Sequence, residues 1–270
     1  MASDIRTTTT ERIPMDSMRK TALVAGILYL ITFLASIPAV FLLDPVLTNP
    51  NYILGPGADT QVTFGAMLDL INAIACIGTA VALFSVVKRQ HEGLALGFVM
   101  SRMFEAAVIV IGVVSILAVV TLRQHGAAAG DAASLVPAGR ALVAVRDATF
   151  LIGPGLIPAG LNALLLGTLM YRSRLVPRVI PVMGLIGAPL LLSANLGIIF
   201  GINDQVSVWS AIGLPGIFFW ELSLGLWMTF KGFNRSAPLM VAFAAEAGSP
   251  EGSATEVRSQ TAVATNAGAA

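Results

Sequence analysis

Six apolar runs dominate this chain, each about 20 residues or longer, the length an α-helix needs to cross a bilayer. They cover residues 21–43, 62–87, 94–122, 142–171, 179–202 and 206–230. The first carries no charge; the second is interrupted only by Asp69. Arg102 and Glu105 lie inside the third, Arg146 and Asp147 near the start of the fourth, and Glu221 inside the sixth. A core helix of a soluble protein shows a polar stripe at period 3.6, and these runs mostly lack one. In lipid, backbone N–H and C=O groups must find partners within the segment, which demands helices. Composition agrees: 56% of the residues are hydrophobic and 11% charged, against about 25% charged in soluble domains. Mean hydropathy is +0.83. The expected fold is therefore all-α, an integral membrane bundle of six transmembrane helices within residues 21–233.

Orientation follows from lysine and arginine, which concentrate on the cytoplasmic side. The N-terminal segment and the turns after the second, fourth and sixth runs hold 12 of them; the opposite side holds only Arg123 and Arg140. Both termini are expected in the cytoplasm, with Trp209, Trp227 and Tyr171 near span ends as interfacial anchors. Residues 1–20 and 234–270 read as disordered cytoplasmic tails, because neither has the pattern to bury a core. The first run has 23 uncharged residues, longer than the roughly 7–15-residue core of a cleaved signal peptide, so a retained anchor is expected. The loop from Gly126 to Ser134 reads as a flexible hinge.

Several chemistries are absent from the pattern. His91 and His125 fall in loops on opposite sides, so they cannot sandwich a haem. Cys76 is the single cysteine, which forbids an intramolecular disulfide and any paired-thiolate zinc site. The glycine-rich stretches GPGADT and GPGLIPAG lack phosphate-loop spacing. Basic residues are scattered in short turns, unlike a nucleic-acid surface. No cofactor, metal or nucleic-acid partner is expected, and an intramembrane enzyme is the least supported class.

EGLALGFVMSRMFEA after the VVKRQ turn, RDATFLIGPGLIPAGLNALLLGTLMYRSRLVPR, and ELSLGLWMTFKGF together resemble a bacterial family of multi-pass membrane proteins known as a domain of unknown function (DUF4386-like). The similarity spans roughly Met18 to Phe233. It implies a six-helix membrane domain in a bacterial inner membrane, and no activity.

The ionisable residues within the spans are the functional candidates. A charge at the bilayer centre costs ~2.5–3.5 kcal/mol on insertion scales. At about 1.5 Å per residue, Glu105 and Glu221 each lie roughly 15–16 Å from the cytoplasmic end. Arg102 is one turn shallower than Glu105, and Asn162 falls in the same central layer. Arg102 is thus expected to be the shared counter-ion of Glu105 and Glu221. Asp69, Arg146 and Asp147 form a second layer toward the outside. Four acids face two arginines, so the surplus carboxylates either hold a proton or meet a cation. Gly153-Pro154-Gly155 with Pro158, and Pro215-Gly216, interrupt the helices near these acids, as transporters do at binding sites.

The bland alternative has real weight. Arg102 and Glu105 at i, i+3 share one helix face and can neutralise each other locally. Gly93, Gly97 and Ser101 form a small-residue ridge that lets a helix approach closely; facing Glu105's own bundle it favours an internal site, facing lipid it favours a docking role. The leading expectation is binding or transport of a small molecule or ion through a polar site inside the bundle. The alternative is a non-catalytic accessory subunit that packs against a membrane partner or a second copy of itself.

Overall fold

The computed structural model describes residues 17–54, 57–126, 132–156 and 158–247. Among them there is no strand, and six helical spans are long and apolar enough to cross a membrane. The protein is an all-helical, multi-pass membrane bundle. Its helices are α1 (Ser17–Thr48), α2 (Asp59–Val87), α3 (Glu92–Gly126), α4 (Val136–Phe150), α5 (Ala163–Ser173), α6 (Val179–Ile199), α7 (Val208–Phe230) and α8 (Pro238–Ala247). α4 and α5 are halves of one span, joined by two wide-turn π-helical pieces at Leu151–Leu156 and Pro158–Asn162.

That join has a direct cause. Pro154 and Pro158 donate no backbone hydrogen bond, and a proline ring collides with the carbonyl four residues back in a regular α-helix. Widening the turn to an i to i+5 pattern relieves both problems without ending the helix. Pro38 and Pro45 in α1, Pro189 in α6 and Pro215 in α7 stay inside α-helix.

α1 packs against α2 and α7; α2 against α3; and α6 against α5 and α7. α3 also meets α4, α5 and both wide-turn pieces, which makes it the inner helix of the bundle. Glycine sets the closest crossing. A Cβ on Gly187 of α6 would stand 2.7 Å from the Gly216 carbonyl carbon of α7, and one on Gly216 2.6 Å from the Gly187 Cα. Such backbone approach is what small residues give membrane helices that have no hydrophobic drive to associate.

The buried apolar residues form two clusters. One holds Tyr29, Leu83, Phe98, Leu169, Trp220 and Met228; the other holds Leu43, Val62, Cys76, Ile109 and Ile116. On α3 the polar residues Ser101, Arg102 and Glu105 stand between Phe98 of the first cluster and Ala106 of the second. The outward surface is apolar, with Leu34, Phe41, Phe200 and Phe230 more than 70% exposed, as a lipid-facing belt requires.

Two tail boundaries differ from expectation. Residues 17–20 already belong to α1, and Arg19 folds back across the end of α7 and donates to the Met228 carbonyl at 3.0 Å and the Thr229 carbonyl at 2.6 Å. Past Phe233, where a tail was expected, Pro238–Ala247 is helical. Ala237 and Met240 are buried, and Leu239 and Phe243 pack against the first cluster. The Arg89 guanidinium lies 4.1 Å from the Phe243 ring centre. Residues 1–16, most of the Gly126 to Ser134 loop, and residues from 248 onward lie outside the described residues.

Candidate functional site

Arg102 lies on the buried face of α3, 2% exposed. Its Nη1 donates to Glu105 Oε2 at 3.0 Å, one turn along the same helix, and its Nη2 to Glu221 Oε1 of α7 at 2.7 Å. The guanidinium sits 5.1 Å from the Tyr29 ring centre and 6.0 Å from that of Phe98. A cation held over aromatic faces gains from the ring quadrupole when water is excluded. Asn162, where the wide-turn segment meets α5, donates from Nδ2 to Glu105 Oε2 at 2.7 Å. All four inner-layer residues therefore meet: Arg102, Glu105, Glu221 and Asn162 share one hydrogen-bonded network across α3, α7 and the wide-turn segment that precedes α5.

The outer layer divides. Arg146 of α4 donates from Nη2 to Asp69 Oδ2 of α2 at 2.8 Å, and both are buried. Its guanidinium lies 5.0 Å from the Phe150 ring centre. Asp147 does not join them. Consecutive residues point about 100° apart around a helix, so burying Arg146 turns Asp147 outward, where it is exposed and lines a separate groove with Asn49, Tyr52 and Arg140.

Both layers line one cavity of about 210 Å³. Asp69, Arg102, Glu105, Arg146 and Glu221 all contribute to its wall, with Thr32, Asn72 and Cys76. Three carboxylates and two guanidiniums thus face the same space. Among the described residues, Glu105 Oε1, Glu221 Oε2 and Asp69 Oδ1 accept no hydrogen bond. Arg102 Nε, Arg146 Nε and Asn162 Oδ1 are buried without partners. Buried polar groups are normally satisfied, so this cluster is incomplete by the protein's own groups.

The small-residue ridge is not a single docking face. Ser101 is buried, a Cβ on Gly97 would meet Leu165 of α5 at 3.5 Å, and Gly93 is exposed. It turns inward toward Glu105's own bundle as it climbs the helix.

Other polar residues escaped the sequence pattern. Tyr29, Asn72, Thr32 and Cys76 are isolated in apolar stretches, and helical spacing alone does not say which face turns inward. Cys76 Sγ lies 3.6 Å from Arg102 Nη1. A further cluster joins the first turn of α2 to the last turn of α3: Asp59 accepts from the Tyr52 hydroxyl at 2.8 Å, from Gln124 Nε2 at 3.0 Å, and from Arg123. Burial and the Asp59 carboxylate push the Tyr52 hydroxyl's pKa up. The usable signal was Asp59 in the first turn of α2, where a carboxylate suits the helix N-terminus.

No curated protein and no solved structure matches this chain. The family model for a domain of unknown function, DUF4386, matches residues 24–232. That stretch holds α1 from Val24 onward, all of α2 to α7 and every residue of the charged cavity, so the chain belongs to the DUF4386 family.

Proposed function

We propose that the protein binds a small molecule or ion in the charged cavity and carries it within the bundle, as a multi-pass protein of a bacterial inner membrane with cytoplasmic termini. One observation carries this reading: both intramembrane ion-pair layers line a single cavity whose carboxylate oxygens are incompletely used. Charges kept only for packing would consume one another's hydrogen bonds. The broken α4–α5 span beside the cavity supports movement as well as binding, since interrupted helices near the midplane are a transporter's way of building a site.

A second reading is an accessory subunit whose charges tie helices together. It is favoured by the way each arginine bridges elements, α3 to α7 through Glu221 and α4 to α2 through Asp69. Cys76 separates the two readings, because it is the single cysteine and lines the cavity. Methyl methanethiosulfonate, small and neutral, is added to the purified protein in lipid nanodiscs and Cys76 modification is followed by mass spectrometry. An accessible cavity gives steady modification of the folded protein. A thiol that reacts only after unfolding means a closed, packing-only cluster.

A further inference from the structure

We propose that the ligand is a single-chain amphiphile with one positive charge, its head in the charged cavity and its apolar body in an adjoining chamber. This rests on the reading of the charged cavity as a binding site. The second chamber lies between the wide-turn segment, α6 and the first turns of α7 and has a volume of about 570 Å³. Its wall is mostly apolar, including Leu151, Leu191, Ile198 and Leu214. Phe150 and Pro154 line both spaces, so the two lie side by side at the break in the fourth span, with these two side chains between them.

Size assigns the parts. Pockets that enclose small organic ligands run from ~300 to 1,000 Å³. The charged cavity alone, at about 210 Å³, suits an ion or a head group. The larger chamber suits a hydrocarbon body but offers no charged side chain to anchor one.

Charge assigns the head. Three carboxylates line the charged cavity against two guanidiniums, and each carboxylate keeps one oxygen that accepts nothing from the described residues. Both terminal nitrogens of Arg102 are already spent on Glu105 and Glu221. An anionic head would face surplus carboxylate, whereas a protonated amine supplies the missing donors and the missing positive charge. Arg102 and Arg146, 2% and 6% exposed, line the same cavity with Nε–H groups that have no acceptor. A protonated amine has no lone pair to offer them, so the acceptor is water carried in with the head group.

Entry is from the bilayer. Leu214 of α7 at the chamber and Phe150 of α4 at the junction are 56% and 41% exposed on membrane-spanning helices, which leaves an apolar opening at the side of the bundle.

The test compares octylammonium, butylammonium and octanol as protectants of Cys76 against methyl methanethiosulfonate, with the full-length protein in nanodiscs. Octylammonium should slow modification with a half-effect at least ten-fold below that of butylammonium, and octanol should give no protection in that range. Ala211→Phe, at an exposed position on the chamber wall, should erase the octyl advantage and leave butylammonium unchanged. Equal potency of the two amines would confine the ligand to the small cavity and overturn the amphiphile. Octanol matching octylammonium would overturn the charged head. A reactive Cys76 that none of the three protects overturns the ligand class while the cavity stands open. A Cys76 that is unreactive without them overturns the binding-site reading itself.

Discussion

Replacing Arg102 with alanine removes the one group that both Glu105 and Glu221 use. Glu105 is 4% exposed and would keep only the Asn162 amide at 2.7 Å. Breaking a buried pair from one side costs ~3–5 kcal/mol, because the remaining charge stays buried and uncompensated. Two effects reduce that figure. The Glu221 side chain is 17% exposed and can recruit water. Hydrogen bonds inside membrane bundles are worth only about 0.6 kcal/mol on average, since the unfolded chain in lipid also finds partners. The uncompensated charge dominates, because a neutral hydrogen bond has alternatives in lipid and a lone carboxylate has few. A loss of about 3 kcal/mol is expected, at the low end of the range for a broken buried pair. Glu221→Gln is the matched control. It retains an acceptor oxygen for Arg102 Nη2 and leaves one carboxylate to one guanidinium, so it should change stability by less than about 1 kcal/mol, the order of a single net hydrogen bond. The assay is reversible unfolding in mixed micelles, followed by tryptophan fluorescence, with wild type and both variants side by side. Glu105→Gln in the Arg102→Ala background should recover part of the loss. Arg102→Ala within about 0.5 kcal/mol of wild type would refute the reasoning, since so small a value belongs to an exposed ion pair.

Three further outcomes are expected. Reporter fusions after Arg174 and after Arg235 should read cytoplasmic and one at Ala128 external, given the 12-to-2 distribution of lysine and arginine; the opposite reading at any site breaks the six-span topology. Gly187→Leu should destabilise by at least about 1–3 kcal/mol, the usual range for overpacking, because its side chain would run into the Gly216 backbone 2.7 Å from the new Cβ; a variant that melts with wild type would mean the α6–α7 crossing is looser than described. Deleting Pro238 onward should lower the melting temperature in detergent, since it uncovers the surface on which Met240 and Phe243 pack; an unchanged midpoint would reduce α8 to a passive extension.

What the sequence determined by itself is what lipid enforces locally. Each span must be about 20 apolar residues long and must satisfy its own backbone, so Thr21 to Leu43 or Val179 to Ile202 declares a membrane helix without reference to any neighbour. The same economy makes Arg102, Glu105 and Glu221 conspicuous, and a rise of about 1.5 Å per residue places them at one depth. Depth is a one-dimensional quantity, and sequence carries it well. Azimuth and partner choice are not one-dimensional. Arg146 and Asp147 are adjacent in sequence and similar in depth, yet one reaches Asp69 across the bundle and the other faces outward. That split depends on the rotation of α4, which its packing against α3 sets. Cys76 and Tyr29 look like any apolar-run residues until α1 and α2 are turned toward Arg102. The helix after Phe233 was illegible for a related reason: Pro238–Ala247 has no strong stripe of its own, and the surface that holds it is supplied by the first core cluster and by Arg89. Only the tertiary structure decided that the two charged layers share one cavity, because a cavity belongs to the space between helices and no single segment encodes it.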